Sequence, residues 1–141
     1  MIKKTLEVEK TARYFQIGSA HNEISTVWIV LHGYGMLSEF FIQKFDQIKD
    51  ENTLIIAPEA LNRFYIDTNY GRVGASWMTK EERQTDIDEN IKYLNSLMNI
   101  INKEIGHNQF KINVLGFSQG GATACRWVLN SDVKIENLIM W

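Results

Sequence analysis

The chain has 141 residues, with 15 Lys and Arg against 17 Asp and Glu, a net charge of −2 and a hydrophobic fraction of 45%. That length and apolar content suit one domain with one buried core, so residues 1–141 read as a single unit. Its basic residues are scattered, which argues against nucleic acid or an anionic membrane as a partner, and no stretch approaches the ~20 apolar residues of a membrane span.

Residues 1–10 hold early lysines but no apolar run of the kind a secretory leader carries. The lone Cys125 has no partner for an internal disulfide, so a reducing, cytoplasmic location is expected. Residues 11–17 read as a first strand, antiparallel and near a sheet edge, followed by a turn over 18–25. The run Val27-Trp28-Ile29-Val30-Leu31 is a buried strand. Leu37, Phe41, Phe45 and Ile48 recur at helical spacing and predict an amphipathic helix over 37–48 whose aromatic face belongs to the core. Residues 53–57 form the next strand.

Between Pro58 and Thr79 lies a long connection carrying Phe64, Tyr65, Tyr70 and Trp77 and interrupted by Gly71 and Gly74. Connections of this length are usually functional or mobile. Thr79 with Glu82 three residues on has the form of a capping box, and Ile87, Ile91, Leu94, Met98, Ile101 and Ile105 line one face of a long helix that stops at Gly106. The acids Glu81, Asp86 and Asp88 suit its positive N-terminal end. With no His or Cys at ligand spacing they read as a solvated face, and no metal or other cofactor is expected. Residues 110–115 alternate and then become continuously apolar, as in a central strand; a helix follows over 122–129 and a terminal apolar strand over 135–141. Strands alternating with helices predict an α/β fold, a mainly parallel sheet covered on both faces.

The strand at 110–115 runs into Gly116-Phe117-Ser118-Gln119-Gly120-Gly121, which opens a helix. G-x-S-x-G in that context is the nucleophile-elbow pattern: a serine on a tight strand-to-helix turn that small neighbours permit. The strand at 27–31 ends in Leu31-His32-Gly33-Tyr34-Gly35, the form of an oxyanion loop, in which glycines let the backbone approach a substrate. His32 reads as a structural residue of that loop. A glycine-rich turn in an ordinary α/β domain would explain the first motif alone but not the two together.

These residues resemble the phospholipase/carboxylesterase family of α/β-hydrolases, which includes acyl-protein thioesterases and small carboxylesterases. The resemblance rests on G-F-S-Q-G-G at 116–121, L-H-G-x-G at 31–35, Ala57-Pro58 after the next strand and Trp77 in the long loop, in the family's order, and it spans residues 14–141. Met78 and Thr79 stand where the family usually carries an aromatic and an acidic residue. The resemblance implies an α/β-hydrolase-like sheet, here the N-terminal two-thirds of the domain without its last strands and helices. It implies Ser118 as nucleophile, the N–H groups of Tyr34 and Gln119 as oxyanion donors, and His32, Gly33, Gly35, Gly116 and Gly120 as the supporting turns. The substrate it implies is a small carboxylester or thioester, cleaved through an acyl-enzyme. The long loop leaves the sheet at the edge that holds Ser118, so Phe64, Tyr65, Tyr70 and Trp77 are expected to wall an acyl pocket; covering the sheet edge is the simpler role for such aromatics.

One half of the machinery does not follow. α/β-Hydrolase triads run Ser, then Asp or Glu, then His along the chain, whereas His21, His32 and His107 all precede Ser118, and only Asp132 and Glu136 follow it. An extended strand separates His107 from Ser118 by ~20 Å. The expectation is therefore a fragment or truncated product of a complete esterase, inactive by itself, whose apolar 135–141 edge invites association with another chain. The alternative is a catalytically silent module that binds an acyl ligand or a partner. Dinucleotide binding finds no support, because no G-x-G-x-x-G follows a strand.

Overall fold

The computed structural model describes residues 1–107 and 109–141. Seven strands are described: β1 (Tyr14–Ile17), β2 (Thr26–Leu31), β3 (Thr53–Pro58), β4 (Asn62–Tyr65), β5 (Val73–Ser76), β6 (Lys111–Gly116) and β7 (Asn137–Met140). The helices are α1 (Ser38–Phe41), which continues as a 3₁₀ helix over Ile42–Ile48, α2 (Arg83–Ile105) and α3 (Gln119–Leu129). Five strands form one sheet in the order β1-β3-β2-β6-β7. β2, β3, β6 and β7 run parallel, and β1 pairs antiparallel with β3 at the edge, with Phe15 opposite Ala57. The mainly parallel sheet with helices on both faces is thus present, with β1 where the sequence places it.

The alternation of side chains along the strands decides what each face packs against. Val27, Ile29, Leu31, Leu54, Ile56, Ile112 and Val114 share a core with Leu94, Leu97, Met98, Ile101 and Ile105 of α2 and with Ala124 and Trp127 of α3. Val30, Ile55 and Ala57 point the other way, onto Phe41, Ile42 and Phe45. Trp127 Nε1 donates to Asn95 Oδ1 at 2.8 Å and joins α3 to α2. β7 lies outermost, its backbone ladder prolonged by Glu136 N–H to Ile112 O at 2.8 Å and Trp141 N–H to Gly116 O at 3.0 Å. Its four residues are exposed.

Three local expectations change. The helix expected over 37–48 keeps its buried Phe41 and Phe45 but is α-helical only over its first turn, with Leu37 as N-cap and a tighter 3₁₀ winding beyond. The capping box at Thr79 and Glu82 is absent: α2 begins at Arg83, and its N-cap Glu82 is left-handed with φ 51°. Thr79 Oγ1 instead closes its own turn, accepting from Glu81 N–H at 3.2 Å and donating to Glu81 O at 3.0 Å, the local bond that commonly draws a threonine out of a helix. Asp86 Oδ2 reaches back from the first helical turn to Thr79 N–H at 3.0 Å. Finally, the long connection contains a hairpin, in which β4 pairs antiparallel with β5 and Phe64 lies opposite Gly74. Asp67 closes it by accepting from Gly71 N–H at 2.9 Å and Arg72 N–H at 3.2 Å.

Glu59, at the end of β3, is 1% exposed and holds three elements together. Its carboxylate accepts from Arg13 Nε at 2.7 Å and Nη2 at 3.1 Å, from Arg63 Nη1 at 3.3 Å, and from Ser38 N–H at 3.3 Å. A buried charge left without its partner is strongly destabilising. Arg13→Ala removes the bidentate pair while Arg63 remains, so unfolding in urea should show a loss of about 2–3 kcal/mol, below the usual range for stripping a buried ion pair. Arg63→Ala, which removes one longer bond, should cost no more than about 1 kcal/mol in the same assay.

Candidate active site

β6 ends at Gly116, and Ser118 stands as the N-cap of α3 with φ 53° and ψ −115°. A non-glycine residue held there costs about 1–3 kcal/mol and persists only where its surroundings fix it. Here both neighbouring strands do so: Phe117 N–H donates to Leu31 O and Ser118 N–H to Trp141 O, each at 2.9 Å. The first turn of α3 is pressed against β6 and β2. A Cβ on Gly116 would stand 2.4 Å from Gly120 O, and one on Gly120 would stand 2.3 Å from Leu31 O, so neither position admits a side chain. Ser118 is thereby left exposed at the carboxyl end of the central strands, beside the positive end of a helix.

The loop after β2 meets this turn directly, since a Cβ on Gly33 would lie 2.8 Å from the Phe117 ring. His32 is fully buried, and both of its ring nitrogens are engaged. Nε2 accepts from Ala60 N–H at 3.1 Å, which leaves the proton on Nδ1, and Nδ1 donates to Gly33 O at 2.7 Å. The Gly33 carbonyl and the Tyr34 N–H belong to one planar peptide and point in opposite directions, so the imidazole orients the Tyr34 donor through its peptide plane. Burial pushes the His32 pKa below its ordinary value, against weaker opposing effects from the Gly33 carbonyl and the Glu59 charge. Gly35 N–H donates to Ala75 O at 2.9 Å and ties the loop to the hairpin. Among the described residues, neither the Tyr34 nor the Gln119 N–H is taken by a protein acceptor.

Gln119 contributes its side chain as well as its backbone. Its Oε1 accepts from Trp77 N–H at 2.9 Å and its Nε2 donates to Met78 O at 2.8 Å, so the amide grips the chain just beyond β5 as a neighbouring strand would. Trp77 is 1% exposed, stacks on His32 with centroids 5.2 Å apart, and donates from Nε1 to His32 O at 2.8 Å. Phe64 stands 5.2 Å from the Tyr34 ring, while Tyr65 and Tyr70 pair edge-to-face at 5.1 Å on the outer side of the hairpin. Contacts therefore gather Ser118, Gln119, Gly33, Tyr34, His32 and Trp77 and reach Phe64 through Tyr34; Tyr65 and Tyr70 contact each other outside that group. Sequence reasoning did not find Asn90, whose Nδ2 donates to Trp77 O at 2.6 Å. Its one signal is an amide on the otherwise apolar stripe of α2.

The two remaining histidines lie at the opposite end of the strands. His21 Nε2 is 3.0 Å from Glu51 O in the turn before β2, and His107 packs on Phe110 just ahead of β6. Among the described residues no three His, Cys, Asp or Glu side chains are grouped so as to hold a metal ion, and no helix is long and apolar enough to cross a membrane.

A serine on a strained strand-to-helix turn beside a His-Gly loop narrows the field to α/β-hydrolases. The sequence model of the phospholipase/carboxylesterase family matches residues 12–140. The chain belongs to this family. Solved structures share the fold: a phospholipase/carboxylesterase from Dyadobacter fermentans (TM-score 0.63, 19% identity, 94% of this chain and 60% of that one) and the Bacillus cereus carboxylesterase (0.67, 14%, 92% and 58%). Zea mays acyl-protein thioesterase 2 is similar too (0.65, 18%, 92% and 61%). At these identities the likeness is one of fold, and the chain spans about 60% of the length of the family structures it matches. No curated protein matches the chain.

The buried His32 generates a pH dependence. Its folded pKa is depressed, so as pH falls through about 6.5 the unfolded state takes up a proton that the folded state refuses. The stability that neutral His32 contributes is present above that pH and declines below it, with a slope of at most about 1.4 kcal/mol per pH unit. Urea unfolding between pH 7.5 and 5 should show the decline, and His32→Asn, already less stable at pH 7.5, should flatten it.

Proposed function

We propose that this chain carries the nucleophile and the oxyanion-binding groups of a serine carboxylesterase or thioesterase. The observation that supports the reading best is Ser118, exposed at positive φ on the N-cap of α3, with the Gly33 loop against Phe117 and with the Tyr34 and Gln119 N–H groups bound to no protein acceptor among the described residues. Ser118 Oγ adds to the carbonyl carbon of a small ester or thioester while its proton passes to a general base. The carbonyl oxygen becomes an oxyanion that accepts from Tyr34 N–H and Gln119 N–H, donors typically worth about 3–4 kcal/mol each in such sites. Collapse expels the alcohol or thiol, which takes the proton from the base and leaves the acyl group on Ser118. Water then releases the acid by the same steps in reverse.

Among the described residues no histidine is placed to act as the base: both His32 nitrogens are engaged, and His21 and His107 stand at the far end of the sheet. In the intact protein an Asp and a His on further chain complete the triad, and residues 1–141 alone turn over substrate feebly. The half-buried free Cys125 suits a reducing compartment, and we place the protein in the cytoplasm. A second reading, a silent module that binds an acyl ligand or a partner chain, draws support from β7, where Leu138, Ile139 and Met140 are 38%, 39% and 68% exposed along an open edge.

Labelling distinguishes the two. The protein with its triad complete should hydrolyse short-chain p-nitrophenyl or thioester substrates and take a fluorophosphonate on Ser118, and Ser118→Ala should abolish both; activity retained in that variant refutes the nucleophile. Residues 1–141 should show at most trace hydrolysis, and sedimentation should reveal self-association that Ile139→Lys, on the open strand, reduces.

A further inference from the structure

An oxyanion donor works only if it is held to within tenths of an ångström, and Gln119 is held through its side chain. The clamp that Oε1 and Nε2 make on Trp77 N–H and Met78 O fixes Gln119 only as firmly as that segment is itself fixed. The segment follows β5, which pairs with the short outlying β4 and is bridged at Ala75 to Gly35 and Met36, but beyond Ala75 no main-chain pairing joins it to the five-stranded sheet among the described residues. What anchors it is Trp77: its indole donates to His32 O, and its carbonyl accepts from Asn90 Nδ2 at 2.6 Å. Both ends of the Trp77 residue are thus engaged, the N–H by Gln119 and the C=O by Asn90.

Asn90 lies on α2, a helix of 23 residues packed along the core, and is 4% exposed. An amide at a buried helix position lowers helix propensity and requires hydrogen bonds that an aliphatic residue would not. Its orientation is fixed chemically, because only the NH₂ group can face the Trp77 carbonyl. The other half, Oδ1, has no partner among the described residues. Arg126, whose Nη1 is equally unpartnered, and Asn90 both line a cavity of about 10 Å³ between α2 and α3. A buried donor and acceptor on residues lining one space of that size suit a single bridging water.

We propose that Asn90 is a positioning residue for the oxyanion site: it carries the rigidity of α2 through the Trp77 carbonyl to the Gln119 side chain, and so sets the place of the Gln119 N–H. This rests on the reading of Ser118 and Gln119 given above. Removing the Asn90 donor should leave the fold and substrate affinity in place and lower the rate of the step in which charge develops on the carbonyl oxygen.

The test compares wild type with Asn90→Leu, which continues the apolar stripe of α2, and with Asn90→Asp, which keeps the shape, removes the donor and offers Arg126 a partner. In residues 1–141, amide exchange at Trp77 should accelerate about tenfold or more in either variant, while Phe117, whose N–H is bound to Leu31 O, stays protected. In the triad-complete protein, the maximal rate of fluorophosphonate labelling at Ser118 should fall about tenfold, with the concentration for half-maximal rate unchanged within about twofold. If one variant fails to fold, the other decides. Unchanged Trp77 exchange, or an unchanged maximal labelling rate in a folded variant, overturns the proposal while leaving the nucleophile in place. A wild-type protein that is not labelled at Ser118 overturns the reading beneath it, and this one with it.

Discussion

The close approach of the first turn of α3 to the ends of β6 and β2 is the contact on which the site depends. It is a contact of backbone with backbone, made at Gly116 and Gly120, where a single methylene would collide with a carbonyl oxygen. Everything nearby follows from it. Because the helix starts so close to the strand, Ser118 must turn through positive φ, and its side chain projects outward. Because the helix also leans on Leu31, the loop that begins one residue later lies beside the serine and shares its surroundings.

Around that contact the polar groups are arranged as a scaffold of amides. His32 orients the peptide that bears the Tyr34 N–H, and Gln119 grips the backbone on either side of the bond between Trp77 and Met78. None of these side chains is placed to exchange protons with a substrate, since each is committed at both ends. The chain is accordingly one-sided in its polar groups: it leaves the Tyr34 and Gln119 N–H groups without a protein acceptor among the described residues, and it directs its imidazoles elsewhere.

How much of this was legible depended on the length scale of each signal. The core strands and α2 announce themselves through runs of apolar residues that only burial explains, and the elbow through glycines whose absence of a side chain is itself the information. The hairpin of β4 and β5 was hidden because four-residue strands are too short to show alternation, and its closing turn depends on the side chain of Asp67. Thr79 and Glu82 misled because a capping box and a self-closed threonine turn share a spacing; only the left-handed Glu82 separates them. Asn90 was invisible for a different reason. A polar residue on an apolar stripe marks a constraint, but its partner, a carbonyl thirteen residues earlier on another element, is not written in any local pattern.

The strand order carries a consequence for how the chain is made. β3 pairs with β1 and β2, all early in the sequence, whereas the other side of β2 receives β6 only after the hairpin and the whole of α2 have been synthesised. A nascent chain can close one flank of its sheet early, yet the central strand waits with its second flank bare while the intervening chain emerges. Parallel pairings across such separations form slowly, and a bare apolar strand is where chains misassociate. During biogenesis the vulnerable surface is therefore the flank of β2 that later adjoins β6, and holding that strand apart from its neighbours is the service a chaperone would perform.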